Sequence, residues 1–146
     1  MSRPRVLVLG EKVVGEEYRT PIEKHLKALG PSLVMSDLAP GWNLMVAEEA
    51  RKLNIPLMAV MPHTETFGKK AYAAYRKIML KEATNKIVFN DSYYDFLRNP
   101  KPYVRWLSDN VDTILAYIDV DRSSFSHSLM LVLGQNGKRI FNTHKE

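Results

Sequence analysis

A chain of 146 residues, 45% hydrophobic and 25% charged, has the make-up of an ordinary globular domain and is long enough to bury a core without staples. It has no cysteine, which excludes disulfide frameworks, thiol nucleophiles and cysteine-ligated zinc or iron–sulfur centres. The net charge of +5 is spread over Lys69, Lys70, Arg76, Lys77, Lys81, Lys101, Arg105 and others without a basic block, so nucleic acid is admitted as a partner but not favoured.

Arg5 to Leu9 predicts a first strand ending at Gly10. That apolar run is too short for a signal peptide or a membrane span, which points to a cytoplasmic protein without membrane contact. Ile22, His25, Leu26 and Leu29 then fall at helical spacing, with Thr20 as N-cap, Pro21 at the first position and Gly30 as the stop. Ser32 to Met35 reads as a second strand. The turn Ser36-Asp37-Leu38-Ala39-Pro40-Gly41-Trp42-Asn43 leads from it into a helix over Leu44 to Leu53. Pro56 to Met61 is apolar throughout, as in a strand covered on both faces, and ends in Pro62-His63. Tyr72, Tyr75, Ile78, Met79 and Glu82 predict a helix from about Lys69 to Ala83, and Lys86 to Phe89 a fourth strand stopped by Asn90-Asp91. Tyr93-Tyr94-Asp95-Phe96 reads as an aromatic loop, packed on the core or free to stack on a base. A helix over Pro102 to Asn110, a strand over Thr113 to Ile118 and a helix over Ser126 to Leu133 closed by Gly134 and Gly137 follow. Arg139 to Asn142 is the last strand. Alternation throughout predicts an α/β fold over residues 1–146 as one domain, with a mostly parallel sheet of about six strands joined by right-handed crossovers.

In such a sheet the loops after the strands meet on one edge, where open α/β folds bind ligands. Here they carry Gly10-Glu11-Lys12, Asp37 to Asn43, Pro62-His63-Thr64, Asn90-Asp91-Ser92 and Asp119 to Ser124. Backbone amides, carboxylates, hydroxyls and a lysine are the inventory of a nucleotide or sugar-phosphate pocket. Gly41 either lets amides approach an anion at the helix N-terminus or only shapes a Pro-Gly turn. Asn43 either meets the ligand or caps the helix. Asp37 and Asp119 are candidates for ribose hydroxyls or a base edge, and equally for solvated loop carboxylates. His63 is a candidate general base; His25, on a helix, His127, near a helix start, and His144, in the tail, are weaker. No His-Glu-x-x-His, P-loop lysine or Gly-x-Ser-x-Gly pattern occurs, and neither metal nor cofactor is expected.

Several segments together resemble a known family. Met35 to Asn43, then Ala47-Glu-Glu-Ala50 and Leu53 to Pro62, are similar to a Ser/Thr-Gly-x-Ala-x-Gly-x-Asp turn, an alanine-rich helix and a Gly-Ile-Pro-Leu-x-Ala-x-Pro-Phe strand. Tyr75-Arg76, Ile87 to Phe89, Arg105 to Asp112, Ile114 to Asp119 and Gly10-Glu11-Lys12 continue the likeness over nearly the whole chain. The pattern is that of the YpsA-like branch of the SLOG superfamily, which includes the Smf/DprA proteins and the LOG phosphoribohydrolases. The resemblance implies a Rossmann-like three-layer sandwich, a nucleotide or nucleotide-derived ligand and self-association into a homo-oligomer, for which the helix from Tyr72 to Met79 offers apolar surface, although a core role explains that stripe equally well. The chain departs from the pattern at Asp37 (glycine in the family), at Asn43 (aspartate) and at Val120 to Ser126, where a Gly-Gly-Thr phosphate turn is expected. Those losses fit a divergent member such as a virus or mobile element would carry. Ser123 and Ser124, with the charge of Arg122, remain as phosphate donors.

Three functions follow. The first is binding by a sensor, sequestering protein or adaptor, using Gly10, Lys12, Asp37, Gly41, Trp42, Asn43, Pro62, His63, Asn90, Asp119, Ser123 and Ser124. The second is cleavage of an N-glycosidic bond in a nucleoside monophosphate by Glu11, Asp37 and Asp119. The third is a nucleic-acid or protein-binding module on the basic helix around Lys69 to Lys81.

Overall fold

The computed structural model describes residues 3–64 and 70–144, without the side chains of residues 70–72. Six strands, β1 Arg5–Gly10, β2 Leu33–Ser36, β3 Leu57–Met61, β4 Asn85–Val88, β5 Thr113–Tyr117 and β6 Arg139–Asn142, form one sheet in the order β4-β3-β2-β1-β5-β6. Every pairing is parallel, so the sheet expected to be mostly parallel is wholly so. The helices are α1 Arg19–Leu29, α2 Trp42–Lys52, α3 Lys70–Glu82, α4 Tyr93–Arg98, α5 Lys101–Asn110 and α6 Phe125–Gln135.

Period-two alternation divides the strands between two cores. Val6, Val8, Val34, Leu57, Ala59 and Met61 face α1, α2 and α3, while Leu7, Leu9, Met35, Val60, Ile114 and Ala116 face α4, α5 and α6. This is the three-layer arrangement. The chain steps from β1 to β4 with its helices on one face, then crosses to β5 with its helices on the other. Right-handed crossovers require that change of face when the direction of travel along the sheet reverses. The reversal leaves a crevice between the carboxyl ends of β1 and β5. No helix among the described residues is long and apolar enough to cross a membrane.

Three elements differ from expectation for local reasons. Helix α1 begins at Arg19, directly after a 3-10 turn over Glu16–Tyr18, so Thr20 is not its cap. Pro21 is still tolerated, because a first-turn N–H has no partner within the helix. Helix α6 runs through Gly134 to Gln135. A Cβ there would press on the terminal methyl of Ile140, which would have to shift; the glycine does not stop the helix. Tyr93–Arg98, expected as loop, is a short helix whose N-cap Ser92 accepts the Asp95 amide at 3.1 Å. Lys69 lies outside the described residues, as do the side chains of Lys70 and Tyr72.

Candidate functional site

The loop between β2 and α2 is built by short polar contacts. Ser36, fully buried, donates its hydroxyl to the Asn43 carbonyl at 2.8 Å and accepts the Leu38 amide at 3.0 Å. Asp37 accepts the Ala39 amide (2.8 Å) and the Asn43 side-chain amide (2.9 Å), both at Oδ1. These bonds hold Leu38 at φ +60°, a conformation a branched side chain seldom adopts, with its side chain wholly buried. Asn43 therefore does not cap α2; the N-cap is Gly41, and Asn43 turns back to Asp37.

Gly41 sits against the neighbouring loop instead of facing open space. Its φ is +90°, and a side chain there would strike the backbone of Glu11 and Lys12. The Trp42 amide donates to the Glu11 carbonyl at 3.0 Å, so backbone from the first loop occupies this part of the α2 N-terminus. Trp42 is 1% exposed; its indole N–H donates to the Leu115 carbonyl at 3.2 Å, and its ring stacks on Tyr117 at 5.4 Å. Gly10 lets that ring approach, since a Cβ at Gly10 would overlap it.

Across the crevice, Glu11 ties the two switch-point loops together. Its amide donates to the Tyr117 carbonyl (3.0 Å), and its Oε1 accepts the Asp119 amide (2.9 Å). Asp119 Oδ1 in turn accepts the Asp121 amide at 3.0 Å. Ser124 caps α6 by accepting the His127 amide at 3.1 Å. The Tyr117 hydroxyl donates to that of Tyr18 at 3.1 Å; this bond, then burial, pushes its phenol pKa up to about 12.

Together these loops enclose a cavity of about 1130 Å³ at the carboxyl edge of the sheet. Of the residues expected in a site, Gly10, Glu11, Lys12, Asp37, Asn43, Pro62, His63, Asp119 and Ser124 line it. Gly41, Trp42, Asn90 and Ser123 are not among the lining residues; Asn90 holds the rim by donating to the Pro62 carbonyl at 3.1 Å. Helix α3 adds Arg76, which is 7% exposed and directs Nη2 to the Asp37 carbonyl (3.4 Å) and Met61 Sδ (3.3 Å). Tyr103 also lines it, its phenol held above the usual range first by burial and then by the Asp37 charge. Tyr93, Phe96 and Phe125 add an aromatic wall: Phe96 stands 5.3 Å from Phe125, and His63 lies 5.2 Å from Tyr93.

Sequence reasoning did not place Arg76 or Tyr103 in a pocket, nor the tail residue His144, which lines it 4.9 Å from Tyr117. A signal did exist for Arg76, a cation three residues before Met79 on the buried stripe of a helix. Nothing comparable marks Tyr103, which reads as an ordinary core aromatic. Arg122 and Ser126 complete the lining at the start of α6, so cations come from three separate elements. Among the described residues, no group of three or more His, Asp or Glu is placed to hold a metal ion.

No family profile matches the sequence, and no curated protein matches it. Solved structures share the fold. DNA processing protein A from Streptococcus pneumoniae aligns with a TM-score of 0.70 at 16% identity, covering 95% of this chain and 50% of that one. The corresponding protein from Helicobacter pylori, described for its single-stranded DNA binding mode, gives 0.63 at 15% identity over 96% and 65%. The Moco carrier protein of Chlamydomonas reinhardtii gives 0.60 at 10% identity over 98% and 77%. The chain thus spans less than two thirds of either DNA processing protein, and at these identities the likeness is one of fold.

Proposed function

We propose that the cavity at the β1/β5 switch point binds a nucleotide or nucleotide-derived anion, and that the chain is a divergent SLOG-type domain of the YpsA-like kind acting as a sensor, sequestering protein or adaptor. One observation carries this reading: a single cavity combines cations from three elements, Lys12, Arg76 and Arg122, with the aromatic wall of Tyr93, Phe96 and Phe125. A phosphate takes the cations, and a base takes the flat rings. The volume also exceeds what a small inorganic anion fills. Glu11, Asp37 and Asp119 all accept backbone amides, which favours positioning over glycosidic cleavage for these carboxylates.

Calorimetry with AMP, GMP, CMP, UMP and ADP-ribose tests the proposal. Binding of at least one is expected, weakened about tenfold or more in Arg76→Met and abolished in Ser126→Trp, which puts a large ring into the lining of the cavity. Absence of binding by all five would discard it.

A single-stranded nucleic acid is the second reading. The cavity rim exposes Val13 (88%), Leu97 (55%) and Phe125 (47%) beside Lys12, a surface on which bases can stack, and one structural neighbour is described as binding single-stranded DNA. Under this reading oligonucleotide affinity falls steeply with salt and exceeds that of any mononucleotide.

A further inference from the structure

We infer that the open edge of β6 is a docking surface for a second copy of this chain, the two copies pairing β6 with β6 antiparallel about a two-fold axis at Phe141. The surface is separate from the cavity and from the α3 stripe. The Arg139 amide donates to the Asp112 carbonyl at 3.3 Å and the Thr143 amide to the Ala116 carbonyl at 2.8 Å. Residues 139, 141 and 143 therefore turn their backbone groups towards β5, and by alternation Ile140 and Asn142 turn theirs away from the sheet. Among the described residues nothing bonds to the backbone N–H or C=O of either. The Asn142 side chain bonds inward, to the Ile118 backbone.

The two edges of the sheet differ. At β4 the Phe89 amide donates to the Met61 carbonyl, so Lys86 and Val88 turn their backbone groups outward. The Lys86 amide is already taken by Asn85 Oδ1 at 2.8 Å, and its side chain adds an exposed charge. A lysine and an occupied amide discourage pairing at an edge. On β6 the outward position holds Ile140 instead, 38% exposed. A Cβ at Gly134 would stand 2.7 Å from Ile140 Cδ1, which puts that turn of α6 beside the edge. Leu131, three residues earlier on the same flank and 52% exposed, extends the apolar surface.

The open groups complement themselves. An antiparallel copy with Ile140 opposite Asn142 makes four hydrogen bonds, each N–H meeting the C=O across from it on both sides of the axis. A register shifted by two residues brings in Lys138 or His144, whose amides are already held by the Leu133 carbonyl at 3.2 Å and Asn142 Oδ1 at 3.3 Å. That shift leaves the Asn142 or the Ile140 carbonyl without a donor. On the other face of the strand, Phe141 comes opposite its own copy in the closely spaced kind of pair, where aromatic contacts stabilise an antiparallel ribbon. Arg139, its guanidinium 5.3 Å from the Phe141 ring, stays about 14 Å from its counterpart, beyond the screening distance. Such an isologous pairing closes on itself and covers both open edges at once. It points the two cavities in opposite directions, so pairing and ligand binding succeed or fail independently.

Sedimentation velocity of the whole chain from about 1 to 500 μM is expected to show a species of twice 16.8 kDa. Ile140→Pro deletes the outward N–H without touching a bond to β5, at an edge position of the kind that tolerates proline, and should raise the dissociation constant at least about tenfold. The chain has no cysteine, so a single one reports the axis. Phe141→Cys brings two Cα atoms about 4.5 Å apart, within disulfide range, and should yield a covalent dimer under dissolved oxygen, while Val88→Cys on the β4 edge should not. A chain that stays at 16.8 kDa throughout overturns the inference. So does a dimer that survives unchanged in a folded Ile140→Pro chain, because it then uses another face. Where Ile140→Pro does not fold, the cysteine variants decide: no cross-link at position 141, or no more than at position 88, overturns the inference.

Discussion

Gly41 and Gly30 separate two uses of the same residue type. Both have positive φ, +90° and +56°, but Gly30 has open space where a side chain would go and Gly41 has the backbone of Glu11 and Lys12. Gly30→Ala is therefore expected to cost about 1 kcal/mol of left-handed strain, and Gly41→Ala about 2–4 kcal/mol, because steric overlap with rigid backbone is added. Urea denaturation of both variants checks the order. Tyr117 supplies a pH dependence. Its phenol rises from an ordinary value of 10 to about 12 in the folded chain, so the folded state keeps a proton that the unfolded chain has begun to lose. Its contribution to stability is whole below pH 10 and is lost as pH climbs from 10 through 12. Tyr117→Phe should fall less steeply than the wild type in urea midpoint between pH 9 and 11; parallel curves would refute the assignment.

At the scale of elements, helices α1 and α2 are fastened by a guanidinium. Arg19 Nη1 meets Glu49 Oε2 at 2.9 Å and Nη2 meets Glu48 at 3.5 Å, with Glu16 on a third side. Glu49 keeps only 8% of its side chain exposed, and its other partner, Lys52, is largely solvated. Removal of Arg19 leaves that carboxylate buried with a weak partner. Arg19→Met is expected to destabilise by about 1–3 kcal/mol, and the double variant with Glu49→Gln to recover part of the loss. Thermal melts of the wild type, of Arg19→Met and Glu49→Gln singly and of the double variant close the cycle. Ser92 makes the comparable point for α4, where a serine three residues before Asp95 signalled a helix start that the aromatic content concealed.

For the whole molecule, the segments that enclose the cavity follow all six strands, and several of their contacts join loop to loop. Asp119 is held by Glu11, Pro62 by Asn90, and Gly41 rests on Lys12. A ligand seated among them stabilises the native chain alone. At about one hundred times its Kd it should add about 2.7 kcal/mol, a rise in Tm of roughly 5–10 °C for a chain of this size. The same compound at the same concentration should leave Ser126→Trp unmoved, and a shift of equal size in that variant would place binding elsewhere.

The sequence by itself determined the alternation of strands and helices, apart from α4, and the edge on which the loops meet, because period-two and period-3.6 patterning and the right-handed crossover act locally along the chain. It also named nine of the residues that line the cavity, through their place after strand ends. Only the tertiary structure decided what those residues do. Gly41 and Trp42 were turned to packing by the approach of the β1 loop, an encounter between segments about thirty residues apart. Arg76 and Tyr103 entered the site from helices on opposite faces of the sheet, which no window of sequence contains. The contact of Asp37 with Asn43 depended on a backbone turn at Leu38 that its side chain does not favour and that buried hydrogen bonds hold in place. Orientation and partnership are set by packing, which the sequence encodes only through the fold as a whole.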